Sequence, residues 1–199
     1  MGDVSAARLS DIEAIRMLMA GWIHRDNDNW DELAGLFHPD ATIEITWFSG
    51  LARDFIEGSR SMDQSALRTK HFIGEPVITF AGDRALVETN AMIIGENTDL
   101  DLGTTTHNRF LDRVQRRDGI WRIAQRDSVY DFSSFTFPYG RIDIDTAAAR
   151  GFPREYFALA YLLVESGFRV DRVFATRGSD LEQRIRTASA QWLAAKQRP

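Results

Sequence analysis

The sequence predicts an α+β fold: a strongly curved antiparallel sheet wrapped around helices, followed by a helical C-terminal extension. Three observations carry this. Apolar residues recur at helical spacing through the first forty residues. Strand-like alternation then dominates to about residue 135, broken by turns at Ala81-Gly82-Asp83 and Arg116-Arg117-Asp118-Gly119. After Pro138 helical stripes return. Helices grouped ahead of a meander argue for α+β rather than for alternating strands and helices. Residues 1–137 read as the α+β domain and residues 138–199 as the helical extension, which needs a partner for its apolar stripes: the domain or another subunit.

Each element has its own signal. Ser10-Asp11-Ile12-Glu13 reads as a capping box that opens a helix carrying Ile12, Ile15, Met19, Trp22 and Ile23 on one stripe. A short second helix places Trp30, Leu33, Leu36 and Phe37 together, and His38-Pro39-Asp40 is expected to stop it. Ala41 to Phe48 alternates as a strand, and Ser59 to Thr69 is expected as a third helix. Pro76–Phe80 with Arg84–Gly95, and Thr104–Gln115 with Ile120–Phe132, read as two hairpins. In the extension, Pro153 opens a helix to Gly167, and Ser179-Asp180-Leu181-Glu182 opens another. A short extended piece around Val170–Ala175 joins the two.

Composition narrows the function. The 199 residues carry a net charge of −5, which disfavours a phosphate-binding surface and hence nucleic acid. There is no cysteine, so disulfides, thiolate metal sites and a cysteine nucleophile are excluded, in keeping with a cytoplasmic location. No apolar run approaches the roughly 20 residues of a membrane span, and Met1 to Ser10 lacks the apolar centre of a signal peptide. No Gly-x-Gly-x-x-Gly, P-loop or Gly-x-Ser-x-Gly motif is present.

Four histidines are therefore the main acid–base candidates. His71, between a predicted helix and a strand, is one candidate catalytic group; His24, near the end of the first helix, is the other. Two imidazoles facing one cavity would lower each other's basicity, leaving one neutral at pH 7. Glu96 and Asn108 are candidate polar lining, Trp47 and Phe110 candidate apolar walls for an aromatic ring, and the Tyr130 hydroxyl a candidate group at the mouth. His107 alternates with Asn108 and is expected on the opposite sheet face. His24, His71 and Glu96 formally satisfy a two-histidine, one-carboxylate metal set, but their spacing matches no ligand motif, and no metal is expected.

The element order, with Trp30-Asp31-x-Leu33, Phe37-x-Pro39-Asp40-Ala41 and Asp118-Gly119-Ile120-Trp121-Arg122, resembles the SnoaL-like branch of the NTF2-like superfamily. Leu67-Arg68-Thr69-Lys70-His71-Phe72-Ile73-Gly74 is similar to scytalone dehydratase within it. The resemblance covers roughly residues 8–135. It implies an NTF2-like α+β cone, a homo-oligomer (dimer or trimer), no metal or organic cofactor, and His71 as the imidazole of a lyase acting on a small aromatic compound. It also places the family's first-helix aspartate at His24, its first-strand tyrosine near Ile45, its second histidine near Glu96, and its serine and asparagine near Asn108 and Phe110. These departures argue against scytalone itself as substrate. Dehydration, retro-aldol cleavage releasing formaldehyde, isomerisation or polyketide-type cyclisation, and a non-catalytic ligand-binding or dimerising module all remain open.

Overall fold

The computed structural model describes residues 5–195. The first four residues of the N-terminal segment, in which a signal peptide was not expected, lie outside that range. Helix α1 (Ala6–Ala20) buries Ile15, Leu18 and Met19. It is followed by two short helices, α2 (Ile23–Asp26) and α3 (Trp30–Gly35). After strands β1 (Phe37–Ile45) and β2 (Phe48–Leu51) comes α4 (Ala52–Asp63), whose buried face is formed by Phe55, Ile56, Ser59 and Met62 at helical spacing.

Four long strands complete the sheet: β3 (Leu67–Ala81), β4 (Arg84–Asn97), β5 (Leu102–Arg117) and β6 (Ile120–Thr136). The order across the sheet is β2-β1-β6-β5-β4-β3. All neighbours are antiparallel except β1 and β6, which run parallel. Asp118 and Gly119 both take positive φ, 51° and 78°, as the tight β5–β6 turn requires.

The sheet curls around α1 to α4. One core fills the hollow, with Ile15, Met19, Trp22, Leu33, Phe37, Ile43, Phe55, Phe110 and Ile123 at its centre. A second core forms where α6 (Phe157–Glu165) packs on the inner face of the far sheet end. The last helix, α7 (Asp180–Ala194), lies against the outer face, where Leu181 and Ile185 meet Leu111, Val129 and Ala175. Ser179 caps it as its sequence suggests, accepting from the Glu182 amide at 3.2 Å. A single turn, α5 (Thr146–Ala149), also appears in the extension.

Several expected boundaries shift. The first helix is capped by Ser5, whose Oγ accepts from the Arg8 amide at 3.3 Å, so Ser10 lies inside it. His38-Pro39-Asp40 does not end a helix but sits in β1, where His38 Nε2 bonds the Gln115 carbonyl at 2.9 Å. The third helix ends at Asp63, and residues 67–69 open a strand instead. Leu67, Thr69, His71 and Ile73 alternate inward from there, and two of the four are β-branched. Pro76 lies at the register shift in that strand, where a missing amide is tolerated.

Candidate active site

The site is built by α2 and β3. Trp22 and Asp26 are four residues apart, so one helical turn stacks them on the same inward face. Trp22 is buried in the core and the Asp26 side chain is fully enclosed. On β3, the period-two alternation points His71 inward beside Thr69. The two elements meet in a bidentate contact. Asp26 Oδ1 lies 2.6 Å from His71 Nδ1, and Asp26 Oδ2 accepts the His71 backbone amide at 2.7 Å.

This arrangement fixes the protonation pattern. Burial alone would raise the Asp26 pKa, but the hydrogen bonds from the His71 ring and amide and the Arg25 charge reverse it. Asp26 is therefore an anion and His71 Nδ1 carries the proton donated to it. Nε2 is left with its lone pair. Burial pulls the His71 pKa below the ordinary imidazole value, helped by the charges of Arg25 and Arg126 and opposed by Asp26. A neutral, correctly oriented imidazole is the form a general base needs.

His71 lines a small cavity of about 40 Å³. Trp22, Trp47 and Phe110 form its aromatic walls; Thr46, Thr69, Ser128, Arg25 and Tyr130 supply its polar atoms. Leu159 and Leu163 of α6 form its cover. Tyr130 accepts from the Thr46 amide at 2.9 Å and also contacts the Thr46 hydroxyl. Burial pushes its pKa up, so it keeps its phenolic proton. Behind Phe110, Arg126 forms a two-pronged pair with Asp112 (2.8 and 2.7 Å) and lays its guanidinium over Phe110 and Trp22.

Of the residues singled out from sequence, His71, Trp47, Phe110 and Tyr130 converge on this cavity. Asn108 stands one layer back, donating from Nδ2 to Ser128 Oγ at 2.7 Å. Glu96 pairs with Arg68 and Gly103 in the sheet and does not line the cavity. His107 faces outward as expected and stacks on Phe132 at 4.2 Å. Among the described residues no group of three or more His, Cys, Asp or Glu is placed to hold a metal, so His24, His71 and Glu96 do not assemble.

His24 requires a correction. It is half-buried on α2, absent from the cavity lining, and its Nδ1 has no partner. No pair of imidazoles forms; the partner of His71 is Asp26. The carboxylate that meets His71 lies two residues further along, at Asp26 at the end of α2. The signal was present in the sequence: residue 26, not 24, shares a helical face with Trp22. Thr46, Thr69, Ser128 and Arg25 were also missed; of these only Thr69 lies in a segment singled out from sequence, Leu67–Gly74.

Fold and site together define an α+β cone that seals a histidine–carboxylate dyad beneath a helical cover. The chain belongs to the SnoaL-like domain family, which it matches over residues 7–127, and thereby to the NTF2-like superfamily. Among solved structures it is similar to LinA (19% identity, TM-score 0.59, 69% of this chain and 95% of that one). It is likewise similar to a scytalone dehydratase-like protein of Novosphingobium aromaticivorans (22%, TM-score 0.57, 68% and 97%). Among curated proteins it is 27% identical over 163 residues to Pea pathogenicity protein 2 of Fusarium vanettenii, covering 74% of this chain. The chain spans 66% of that relative's length. No described helix is long and apolar enough to cross a membrane.

Proposed function

We propose that this protein is a cofactor-independent lyase acting on a small aromatic compound, with His71 as general base and acid and Asp26 as its orienting carboxylate. The observation that carries the reading is the 2.6 Å Asp26–His71 contact, with His71 lining a cavity walled by aromatic rings. In a dehydration, Nε2 removes a proton from the carbon beside an activating carbonyl, and the C–H electron pair moves into an enolate. The enolate then re-forms the carbonyl as the carbon–oxygen bond one carbon further on breaks. The departing oxygen takes the proton back from the imidazolium and leaves as water. A retro-aldol step uses the same base on a hydroxyl proton: the carbon–carbon bond breaks, formaldehyde leaves, and the electron pair left on the activated carbon takes the proton back from the imidazolium. The fold relationship to LinA and to a scytalone dehydratase-like structure supports elimination as the first reading.

The experiment is a nuclear magnetic resonance screen of aryl β-hydroxy ketones and diaryl diols with the purified protein. The expected result is loss of water or formaldehyde that His71→Asn slows by about 10² to 10⁴. Full turnover by His71→Asn on an accepted substrate would refute the reading. Saturable binding with no turnover across the panel would favour a ligand-binding module instead.

A further inference from the structure

We propose that Arg25 is the oxygen-binding subsite of the His71 cavity, and that the substrate class is carbonyl or phenolic compounds whose oxygen gains negative charge during the reaction. The assignment rests on reading this cavity as the substrate site of His71. Its basis is an incompletely matched buried cation. The Arg25 side chain is 9% exposed, and the residue lines both the His71 cavity and a neighbouring pocket that holds Asp26, Asp28 and Asp63.

Its polar neighbours are poor matches for a guanidinium. Nη1 donates to the neutral Thr69 hydroxyl at 2.5 Å, and Nη2 points at the Met62 sulfur at 3.5 Å. Asp26 Oδ1, the nearest carboxylate oxygen, is 3.9 Å from Nη1 and already holds the His71 ring at 2.6 Å. Asp63 and Asp28 act on Arg25 through their charge without a hydrogen bond. Arg126, the other deeply buried arginine, differs in its anion: it clasps the Asp112 carboxylate with two bonds under 3 Å and leaves only Nη1 without a partner. A fork of donors facing a hydroxyl and a thioether has capacity left for an anionic oxygen. Supplying that oxygen from a substrate repays part of the cost of burying the charge.

The placement suits the chemistry. Thr69, which holds the Arg25 head, is two residues before His71 on the same strand face. That step is roughly 7 Å along a strand. It accommodates a proton-bearing carbon within reach of Nε2 and, one carbon away, the oxygen that receives the displaced electron pair. Donors fixed in advance where charge develops stabilise the transition state more than the ground state.

The test uses 4-nitrophenol as a probe on the full-length protein, following phenolate absorbance of the bound dye against pH. The bound phenol is expected to ionise with a constant raised about tenfold or more over that of the free dye. Arg25→Met should abolish the increase and Arg25→Lys should keep part of it. His71→Asn should keep it, since the increase is assigned to the Arg25 charge and not to the imidazole. Should Arg25→Met fail to fold, the unsubstituted protein still decides: bound dye that ionises no more readily than free dye overturns the assignment. So does absence of dye binding, or an Arg25→Met protein indistinguishable from the original. If His71→Asn turns over normally while the Arg25-dependent ionisation persists, the base is wrong and the oxygen site stands.

Discussion

At the scale of single residues, two carboxylate oxygens decide how His71 behaves. One takes the ring proton, the other the backbone amide, so the imidazole can neither flip nor drift without losing a second bond. Asp26→Asn should leave the fold intact and lower turnover by about 10² or more, because the amide supports the wrong tautomer as readily as the right one. The pH dependence has a defined sign. The folded pKa of His71 lies below its unfolded value of about 6.5. Between those two values the unfolded chain binds the extra proton, so the stability tied to neutral His71 is complete above about 6.5 and declines as pH falls through that window. Denaturation midpoints measured from pH 8 to pH 5 should fall, and the fall should be smaller in His71→Asn. Asp26 itself contributes only in a lower range, because its folded pKa lies below the ordinary carboxylate value.

At the scale of elements, α7 is held to the sheet by a charge cluster as much as by its apolar stripe. Arg109 reaches Glu182 at 2.8 Å, Glu88 at 3.1 Å and Asp131 at 3.0 Å, and Arg186 joins Glu182 and Glu88. Burial would push the Glu182 pKa up, but hydrogen bonds from Arg109, the Gly178 amide and Arg186 bring it down to about 2. The stability this carboxylate confers is therefore present above about 4.5 and is lost as pH drops toward 2. Glu182→Gln should cost about 1–3 kcal/mol at pH 7, read by denaturant unfolding, and should flatten the acid limb below pH 4.5.

The elements also show what the sequence made legible. Strands β4, β5 and β6 and helix α1 follow from periodicity, α7 from its stripe and its Ser179 cap, and only the Pro76–Phe80 part of β3 was legible; Trp47, Phe110 and Tyr130 were singled out and line the cavity. Boundaries governed by tertiary pairing were not. Phe37 is drawn into the sheet by parallel pairing with Ile123 of β6, the ladder resuming at Thr42 after an irregularity, and residues 67–69 extend β3 because β4 is long enough to pair with them. Arg25 was invisible for a different reason: nothing local distinguishes a buried arginine from a surface one until the strand that carries Thr69 is in place.

For the whole molecule, the extension completes the interior. Leu159 and Leu163 cap the His71 cavity, and the second core is made largely of residues from 149 onward. The cavity is small, about 40 Å³, and α6 supplies two of its lining side chains. Truncation after Gly140 should yield aggregated or inactive protein, measured by soluble fraction and turnover; a soluble, active truncation would show that the cover is dispensable. On the outer face, Phe72, Met92, His107 and Phe132 fall in one register row across four strands, with Phe72 and Phe132 more than half exposed. We expect this row to join copies of the chain into a dimer or trimer. Phe72→Glu with Phe132→Glu should give a monomer in sedimentation; an unchanged oligomer, or an unsubstituted protein that sediments as a monomer, would refute the row as an interface.

The parallel contact between β1 and β6 has a consequence for biosynthesis. The strand made first finds its lasting neighbour only once residues 123–127 have left the ribosome. Until then nascent β1 has only the four-residue β2 beside it, leaving its other edge bare for much of translation. Assembly of the barrel-like body is thereby deferred to late elongation, and a synonymous change that alters ribosome pace around codons 120–136 should alter yield more than one placed earlier.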